Sequence, residues 1–365
     1  MNKRNEDIRK ITDENQVITD SDIKEKTLAD SIKIISPGKL VLRRFFRSKL
    51  SVVGLVLLVC LFSFSFLGPL FSKWGQIEAT GDFKWVTSVL PHQMTVTEIN
   101  EETGEEEKAV YIFYEVSDPY KVSSKTSPSW KHWLGTDQYG YDVLTRLMYG
   151  GRVSLLLGFI VIFAEMILGT LIGALAGYFG KWVDQVIMRI VDIFNCLPSL
   201  PILMLASSLL DGWGIPGGLR IYYLMGILTF FGWSGIARMV RGQILLLREQ
   251  EYMIAAEATG LSISRKIFKH LIPNVLPQLI VQATLGLGGV ILSESTLSYL
   301  GIGVPFPYAA WGTMIGSTSG AAGRDILQNY PNIWVPAGVC IVIAVLSFNF
   351  IGDGLRDAFD PKMKR

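Results

Sequence analysis

The chain has few of the residues from which catalytic and metal centres are built. Its 365 residues include only three histidines and three cysteines. The cysteines all fall in apolar stretches at no metal-ligand spacing, and the histidines are scattered along the chain. We therefore expect neither a metal site nor a redox-active cysteine.

Sequence motifs of enzymes are also missing. The chain has no H-E-x-x-H or C-x-x-C motif and no G-x-x-x-x-G-K-[ST] loop, whose backbone amides cradle nucleotide phosphates. Gly180-Lys181 comes nearest to that loop, but Leu175 stands where the first glycine is needed. We expect no catalytic residue and no cofactor bound by this chain, so any ATP must be held by another chain.

Charged residues are scarce, and apolar ones are abundant. Charged residues make up 18% of the chain with a net charge of +2, which suggests no nucleic-acid partner. Hydrophobic residues make up 50%, and the mean hydropathy is +0.36.

A helix needs about 20 mainly apolar residues to cross a membrane. Six stretches qualify, at 50–71, 153–179 and about 186–210, 222–240, 276–297 and 333–351. The sequence predicts an all-α polytopic membrane protein with six transmembrane helices.

Lysine and arginine predict the orientation of these spans, because they are retained in short segments on the cytoplasmic side. They crowd the start of the first span, the segment between the fourth and fifth spans, and the C-terminal end. The two short segments predicted outside hold single basic residues, Arg220 and Arg324. We expect a multi-pass protein of the cell membrane with both termini in the cytoplasm.

The residues before the second span divide into four segments. Residues 1–38 alternate acidic and basic side chains and predict a weakly ordered cytoplasmic tail. Residues 39–49 mix basic and bulky apolar side chains, which favours a helix at the lipid headgroups, with a soluble helix as the alternative. The first span, 50–71, follows no signal-peptide pattern and is expected to remain as an anchor.

The fourth segment, residues 72–152, is predicted to be an extracytoplasmic insertion and the lead-in to the second span. It contains two β-rich runs, QMTVTEI and KAVYIFYEV, separated by NEETGEEE, a pattern that predicts a hairpin. The insertion either docks a partner or is only a loop insertion, and the sequence favours neither. Residues 153–365 hold the other five spans.

Residues 251–273 predict a short helix-turn-helix between the fourth and fifth spans. The small side chains of Ala255, Ala256 and Ala258 would let the first helix sink into a groove on a partner. Gly260 would end that helix, since glycine adopts the left-handed conformation at little cost. A simple amphipathic connector fits the spacing equally well.

The second helix of this segment is predicted to start at Ser262 as its N-cap. Its basic residues should face water or lipid headgroups; they are Arg265, Lys266 and Lys269. Pro273 and Pro277 should stop or kink it where the chain re-enters the membrane.

The same segment resembles the cytoplasmic coupling loop of ABC importer permeases. That motif runs E-A-A, three residues, G, and then a hydrophobic stretch ending I-x-L-P. The matching positions are Ala255, Ala256, Gly260 and Pro273. Ile254 replaces the glutamate of the motif, and Glu257 follows one helical turn later.

Further blocks are similar to the dipeptide, oligopeptide and nickel permeases, and to the second of their two permease subunits. HWLGTDQYGYDVLTRLMYGGRVSLLLG, from His132, has Tyr141 in place of the usual arginine. The other matching blocks are RSKLSVVGL from Arg47, SESTLSYLGIG from Ser293, AWGTMI from Ala310 and LSFNFIGDGLRDAFDP from Leu346.

The resemblance implies a type I ABC importer permease fold with a small extracytoplasmic β-containing insertion. It implies four kinds of partner: a second homologous permease, two cytoplasmic ABC ATPases that hold ATP and Mg, an extracytoplasmic substrate-binding protein, and membrane lipid. The residues implied in ATPase coupling are Ala255, Ala256, Glu257, Ala258, Gly260 and Ser262. Peptide is the favoured substrate because no His or Cys cluster supports nickel; nickel or another small solute is the alternative.

Two acidic residues in the spans are candidates for the translocation pathway. Glu165 lies near the middle of the second span, where an ionisable group is costly, and either contacts ligand or is protonated and hydrogen-bonded. Glu294 lies near the outer end of the fifth span and has either a structural role at a gate or a ligand contact. Three glycines spaced by four predict close helix packing; they are Gly169, Gly173 and Gly177.

Two other classes of protein compete with the permease. An ion-coupled carrier should show repeated halves with broken helices at the midplane of the membrane. A membrane-embedded enzyme should place catalytic groups together at one depth. The sequence shows neither pattern.

Overall fold

The structure is a computed structural model that describes residues 37–79, 85–86, 89–99, 106–116, 120–121, 123–215 and 217–360. Nearly all of the predicted tail, 1–38, lies outside these residues. The helices are α1 (Pro37–Arg47), α2 (Lys49–Phe66), α3 (Gly68–Phe71), α4 (Val143–Phe179), α5 (Lys181–Cys196), α6 (Ser199–Gly212), α7 (Gly217–Arg248), α8 (Glu251–Ala258), α9 (Ile263–Arg265), a π-helical turn (Lys266–Leu271), α10 (Ile272–Tyr299), α11 (Trp311–Gly316), α12 (Gly320–Asn329) and α13 (Pro331–Phe359).

The insertion between α3 and α4 contains short β-sheets. Strands β2 (Val89–Ile99) and β3 (Glu106–Val116) pair antiparallel, with Val89 opposite Val116. Strands β1 (Trp85–Val86) and β4 (Tyr120–Lys121) form a second antiparallel pair at the base of this hairpin. The two β-rich runs therefore pair as the sequence predicts.

Among the described residues, five helical segments are long and apolar enough to cross a membrane: α2, α4, 219–248 of α7, the continuous helix 263–299 and α13. The third predicted span, about 186–210, is wrong as a single helix. It consists of α5 and α6, whose axes are bent by 78° at a short break. Leu197 is extended there because it precedes Pro198, and proline disfavours the helical conformation in the residue before it.

The contacts between α4 and α7 show that these two helices run parallel. Facing residues advance along both helices together: Gly169 faces Ile236, Gly173 faces Val240 and Gly177 faces Ile244. If two parallel helices both cross the membrane, the chain between them must cross back. The broken pair α5–α6 therefore serves as the third span, and the total is six.

The other helix pairs agree with alternating directions. Residues on α4 and α10 meet in opposite order, since Ser154 contacts Glu294 and Ile162 contacts Gly286. Helices α2 and α13 are also antiparallel. An even number of spans places the start of the first span and the end of the last span on the same side of the membrane. On that side, Arg44 Nη1 donates to the Asp360 carbonyl at 3.1 Å.

The close α4–α7 contact predicts the effect of one added methyl group. A Cβ at position 173 would lie 2.9 Å from the Val240 Cβ and closer still to the Ala237 carbonyl oxygen. We expect Gly173→Ala to destabilise the chain by about 1–3 kcal/mol through overpacking, seen as a lower thermal midpoint in detergent. Gly242→Ala is the matched control, since a Cβ there meets nothing within 4 Å. Equal midpoints for the two variants would contradict this packing.

Candidate functional site

Helix α8 ends in a geometry that fixes the direction of the chain after it. Gly260 has a φ of +70°, in the left-handed region. The Gly260 N–H donates to the Glu257 carbonyl at 3.0 Å, and the Leu261 N–H donates to the Ala256 carbonyl at 3.2 Å. This is the Schellman arrangement, which satisfies carbonyls at a helix end and requires a residue such as glycine.

Only part of α8 is available to a partner. Met253 and Ala256 are buried against the rest of the chain, and Ala256 is only 7% exposed. Ala255 and Ala258 are exposed on the other side. The bundle already covers Ala256, so of the three alanines only Ala255 and Ala258 can face a partner groove. Ile254, which replaces the motif glutamate, is 61% exposed.

Lys266 joins this segment to the end of α4. Lys266 is 7% exposed. Its Nζ lies 3.8 Å from Glu257 Oε1 and 5.5 Å from the centre of the Tyr178 ring. The prediction that Lys266 faces water or headgroups is wrong. An acid on α8 and an aromatic ring on α4 instead compensate its burial. Arg248 adds a second link, donating from Nη1 to the Tyr178 carbonyl at 2.9 Å.

The helix that starts after Ser262 does not stop at the prolines. Ser262 has the extended backbone of an N-cap, but its side chain accepts no capping hydrogen bond from the residues described. The helix continues through a π-helical turn, in which the Ile272 N–H donates to the Ile267 carbonyl, into α10. Because Pro273 has no N–H and its ring crowds the preceding turn, a wider turn at this position avoids a sharp kink.

Glu165 lines a cavity of about 490 Å³ between four spans: α4, α7, α10 and the broken pair α5–α6. The residue is 7% exposed, and its carboxylate lies against Gly232 of α7, where a side chain would collide with it. Among the described residues, none makes a hydrogen bond or ion pair with this carboxylate. The alternative of a carboxyl hydrogen-bonded to a neighbour therefore finds no partner here.

Glu294 has the opposite surroundings and does not line the Glu165 cavity. It is completely buried and accepts from Ser298 Oγ at 2.7 Å, Ser154 Oγ at 3.0 Å and Ser295 Oγ at 3.5 Å. Ser154 Oγ also accepts from the Trp311 N–H at 3.3 Å. Glu294 thus joins α4, α10 and α11, and these contacts support the structural reading over ligand contact.

The three glycines of α4 lie between the Glu165 cavity and the end of α4 that contacts residues 251–273. They lie on the face of α4 that packs on α7, between Glu165 at one end and Tyr178 at the other. A Cβ at Gly169 or Gly177 would lie within 2.8 Å of an isoleucine Cβ on α7. The parallel pair therefore spans the distance from the cavity to the α8 segment without a break.

The block from His132 to Gly158 begins with a cap at the opposite end of the bundle, residues 132–142, and continues into α4. Asp137 accepts from the N–H groups of Tyr139 and Tyr141 at 2.9 Å and pairs with Arg146 at 3.3 Å. Burial raises the pKa of Asp137, against the lowering effect of Arg146. Tyr141, which replaces the usual arginine, is buried beside the Arg146 guanidinium. A second arginine here would face an existing positive charge.

The sequence missed the residues that the helix break contributes. Asn195 and Ser199 line the Glu165 cavity from either side of Leu197 and Pro198. The available signal was the pair of prolines in CLPSLP, at 198 and 201, inside a stretch interpreted as one span. Two prolines so close together indicate a helix end followed by the first turn of another helix.

This geometry defines an integral membrane protein with a cavity between its spans, and comparisons with known proteins identify the family. The family described as binding-protein-dependent transport system inner membrane component matches residues 169–365. The N-terminal TM domain of oligopeptide transport permease C matches residues 36–83. This chain belongs to the family of inner membrane components of binding-protein-dependent transport systems, and the resemblance drawn from its motifs is confirmed.

Curated relatives cover most of the chain. The oligopeptide transport system permease protein OppC of Bacillus subtilis is 33% identical over 336 residues, 92% of this chain and 93% of that protein. The dipeptide transport system permease protein DppC of Alkalihalophilus pseudofirmus is 41% identical over 237 residues, 65% and 74% of the two chains. A putative peptide permease protein of Brucella suis is 38% identical over 253 residues, 69% and 80% of the two chains.

The Glu294 contacts predict unequal effects for two neighbouring serines. Ser298→Ala removes the shortest hydrogen bond to a completely buried carboxyl, whereas Ser293 is exposed and donates only to Gly289 of its own helix. We expect Ser298→Ala to cost about 1–3 kcal/mol of stability, measured as a lower thermal midpoint, with Ser293→Ala close to the unmodified chain. A larger loss for Ser293→Ala would contradict the structural role of Glu294.

Proposed function

We propose that this chain is a permease subunit of an ATP-binding-cassette importer and forms half of a pathway for peptides. The observation that carries the proposal is that two features occur together on the α4–α7 pair. Glu165 of α4 lines a cavity between the spans, and the partly exposed segment 251–273 follows directly after α7. The relatives named as oligopeptide and dipeptide transport permeases support peptide as the substrate class. Nickel or another small solute remains the alternative cargo.

The partners follow from the division of labour in such importers. The chain has no nucleotide-binding loop, so ATP and Mg are assigned to two cytoplasmic ATPase subunits. A second, homologous permease would complete the pathway, and an extracytoplasmic binding protein would deliver the peptide. The chain itself is then not an enzyme and binds no cofactor.

The orientation is proposed from the basic residues. Arg248 and the basic residues that follow α8 lie at one end of the bundle, together with Arg44 near Asp360; those that follow α8 are Arg265, Lys266 and Lys269. The positive-inside rule assigns this end to the cytoplasm. The hairpin and the Asp137 cap then lie outside, where a binding protein would dock, and α8 lies where the ATPases would bind.

We propose a coupling role for residues 251–273. The proposed contact surface differs from the one expected from the sequence, because Ala256 is buried. The exposed residues Ala255 and Ala258 would contact the ATPase, and Glu257 would hold Lys266. Gly260 and Ser262 would shape the turn. Buried Ala256 would instead set the distance of α8 from the bundle.

Purification of the tagged chain from its native membrane in mild detergent tests the proposal directly. Mass spectrometry of the associated proteins should identify a second permease of this family and one or two ATPases with nucleotide-binding loops. Recovery of the chain alone, active in liposomes without ATP, would favour an ion-coupled carrier instead.

The exposed alanines predict a loss of coupling without a loss of folding. Ala258→Glu adds a bulky charge to the surface proposed to enter an ATPase groove, and a buried unpaired charge at an interface is costly. We expect ATP-driven uptake to fall at least about tenfold, while the amount of protein in the membrane stays unchanged. Gln328→Glu, on exposed α12 at the opposite end, is the control. Normal uptake by Ala258→Glu would refute this contact surface.

A further inference from the structure

We propose that the Glu165 cavity is a subsite for a positively charged ammonium group, and that in transport it holds the α-amino group of a passing peptide. The inference rests on the proposed peptide import, and it adds a binding chemistry to one position on the pathway. Four features of the cavity carry it.

The first feature is the unpaired charge site itself. The Glu165 carboxyl is 7% exposed, and no cation among the described residues lies against it. A carboxylate inside a membrane protein is costly unless a positive group pairs with it. Among the described residues, no Lys, Arg or His lines this cavity. The compensating charge can therefore be supplied by a ligand.

The second feature is the hydrogen-bonding character of the walls. The Ser293 hydroxyl donates to the Gly289 carbonyl at 2.9 Å, and the Thr296 hydroxyl donates to the Leu292 carbonyl at 2.8 Å. Their protons are used by their own helix, so the oxygens can only accept from the cavity. Together with Glu165 they offer acceptors. An ammonium group has three donors and no acceptor, and the Glu165 carboxylate with these two hydroxyl oxygens supplies acceptors for it.

The third feature is the aromatic side of the cavity. Phe194 of α5 and Phe231 of α7 both line it, with ring centres 6.4 Å apart. The faces of aromatic rings attract cations, most strongly where water is excluded. A carboxylate and two rings suit an ammonium group on an organic ligand. A metal ion would need several ligands, and the described residues contain no cluster of three His, Cys, Asp or Glu side chains.

The fourth feature is the position of the cavity. It lies where the third span breaks between α5 and α6, and broken helices recur at ligand sites in membrane transport proteins. Glu165 lies well inside α4, 22 residues after Val143 and 14 residues before Phe179. Two features found independently, an unpaired acid and a helix break, therefore meet in one cavity.

The test is protection of Glu165 from a carboxyl reagent in the complete importer, isolated through this chain. Dicyclohexylcarbodiimide, which is apolar enough to reach carboxyls inside the membrane, is applied with tri-alanine or with N-acetyl-tri-alanine. Mass spectrometry then follows modification at Glu165. Glu294, caged by three serines in the same digest, is the internal control and should stay unmodified.

Tri-alanine should slow modification of Glu165 about tenfold when it is present at about ten times its Kd, and N-acetyl-tri-alanine should have little effect. Equal protection by both peptides, protection by neither, or no modification of Glu165 at all would each overturn the inference. If the same complex imports tri-alanine in liposomes, any of these three contradicting results refutes the ammonium subsite but not the proposed peptide import. A complex that imports no peptide refutes the proposed function and this inference with it.

Uptake by two variants of Glu165 separates a loss of charge from a loss of folding. Glu165→Gln keeps the shape but removes the charge, and uptake of tri-alanine should fall about tenfold. Glu165→Asp keeps the charge and should restore part of the uptake. Both variants should elute as intact complexes on size-exclusion chromatography. If Glu165→Gln and Glu165→Asp lose uptake equally, shape rather than charge matters and the ammonium subsite is wrong.

Discussion

The close parallel contact between α4 and α7 is the constraint on which the rest of the structure depends. Helices in a membrane gain little from hydrophobic burial against each other, because lipid tails are equally apolar, so association relies on close packing at small residues. Gly169, Gly173 and Gly177 provide that surface. The contact also fixes the topology, because two parallel spans require the intervening chain to return across the membrane.

The same pair of helices joins the two proposed sites. At one end, Gly232 of α7 leaves the space that the Glu165 carboxylate occupies. At the other end, Tyr178 contacts Lys266 and Arg248, which belong to the coupling segment and the end of α7. The 13 residues from Glu165 to Tyr178 correspond to about 20 Å of helix. The α4–α7 pair therefore extends from the cavity to the contacts with Lys266 and Arg248.

Features set by local sequence were predicted well. The lengths of the apolar stretches predicted the spans, and two β-rich runs around an acidic turn predicted the hairpin. A glycine after an alanine-rich helix predicted the left-handed turn at Gly260. Each of these depends on residues close together in the chain. The motifs also pointed to the family, which is confirmed over more than half of the chain.

Features set by tertiary contacts were not predicted. The burial of Ala256 and Lys266 depends on how α8 and the helix after it lie against α4, which spacing alone does not show. Glu165 and Glu294 look alike in sequence, but one faces a cavity unpaired and the other is enclosed by serines from two helices. The prolines at 198 and 201 did carry a local signal for the break in the third span, and apolar length masked it.

The central claim is that this chain works only as one part of an ATP-driven, binding-protein-dependent importer. The most direct measurement is uptake of labelled tri-alanine by liposomes that contain the complex isolated through this chain, with the binding protein outside and ATP inside. The account predicts uptake that stops when either the binding protein or ATP is omitted. Uptake that continues without both, driven by a proton or sodium gradient, would contradict it.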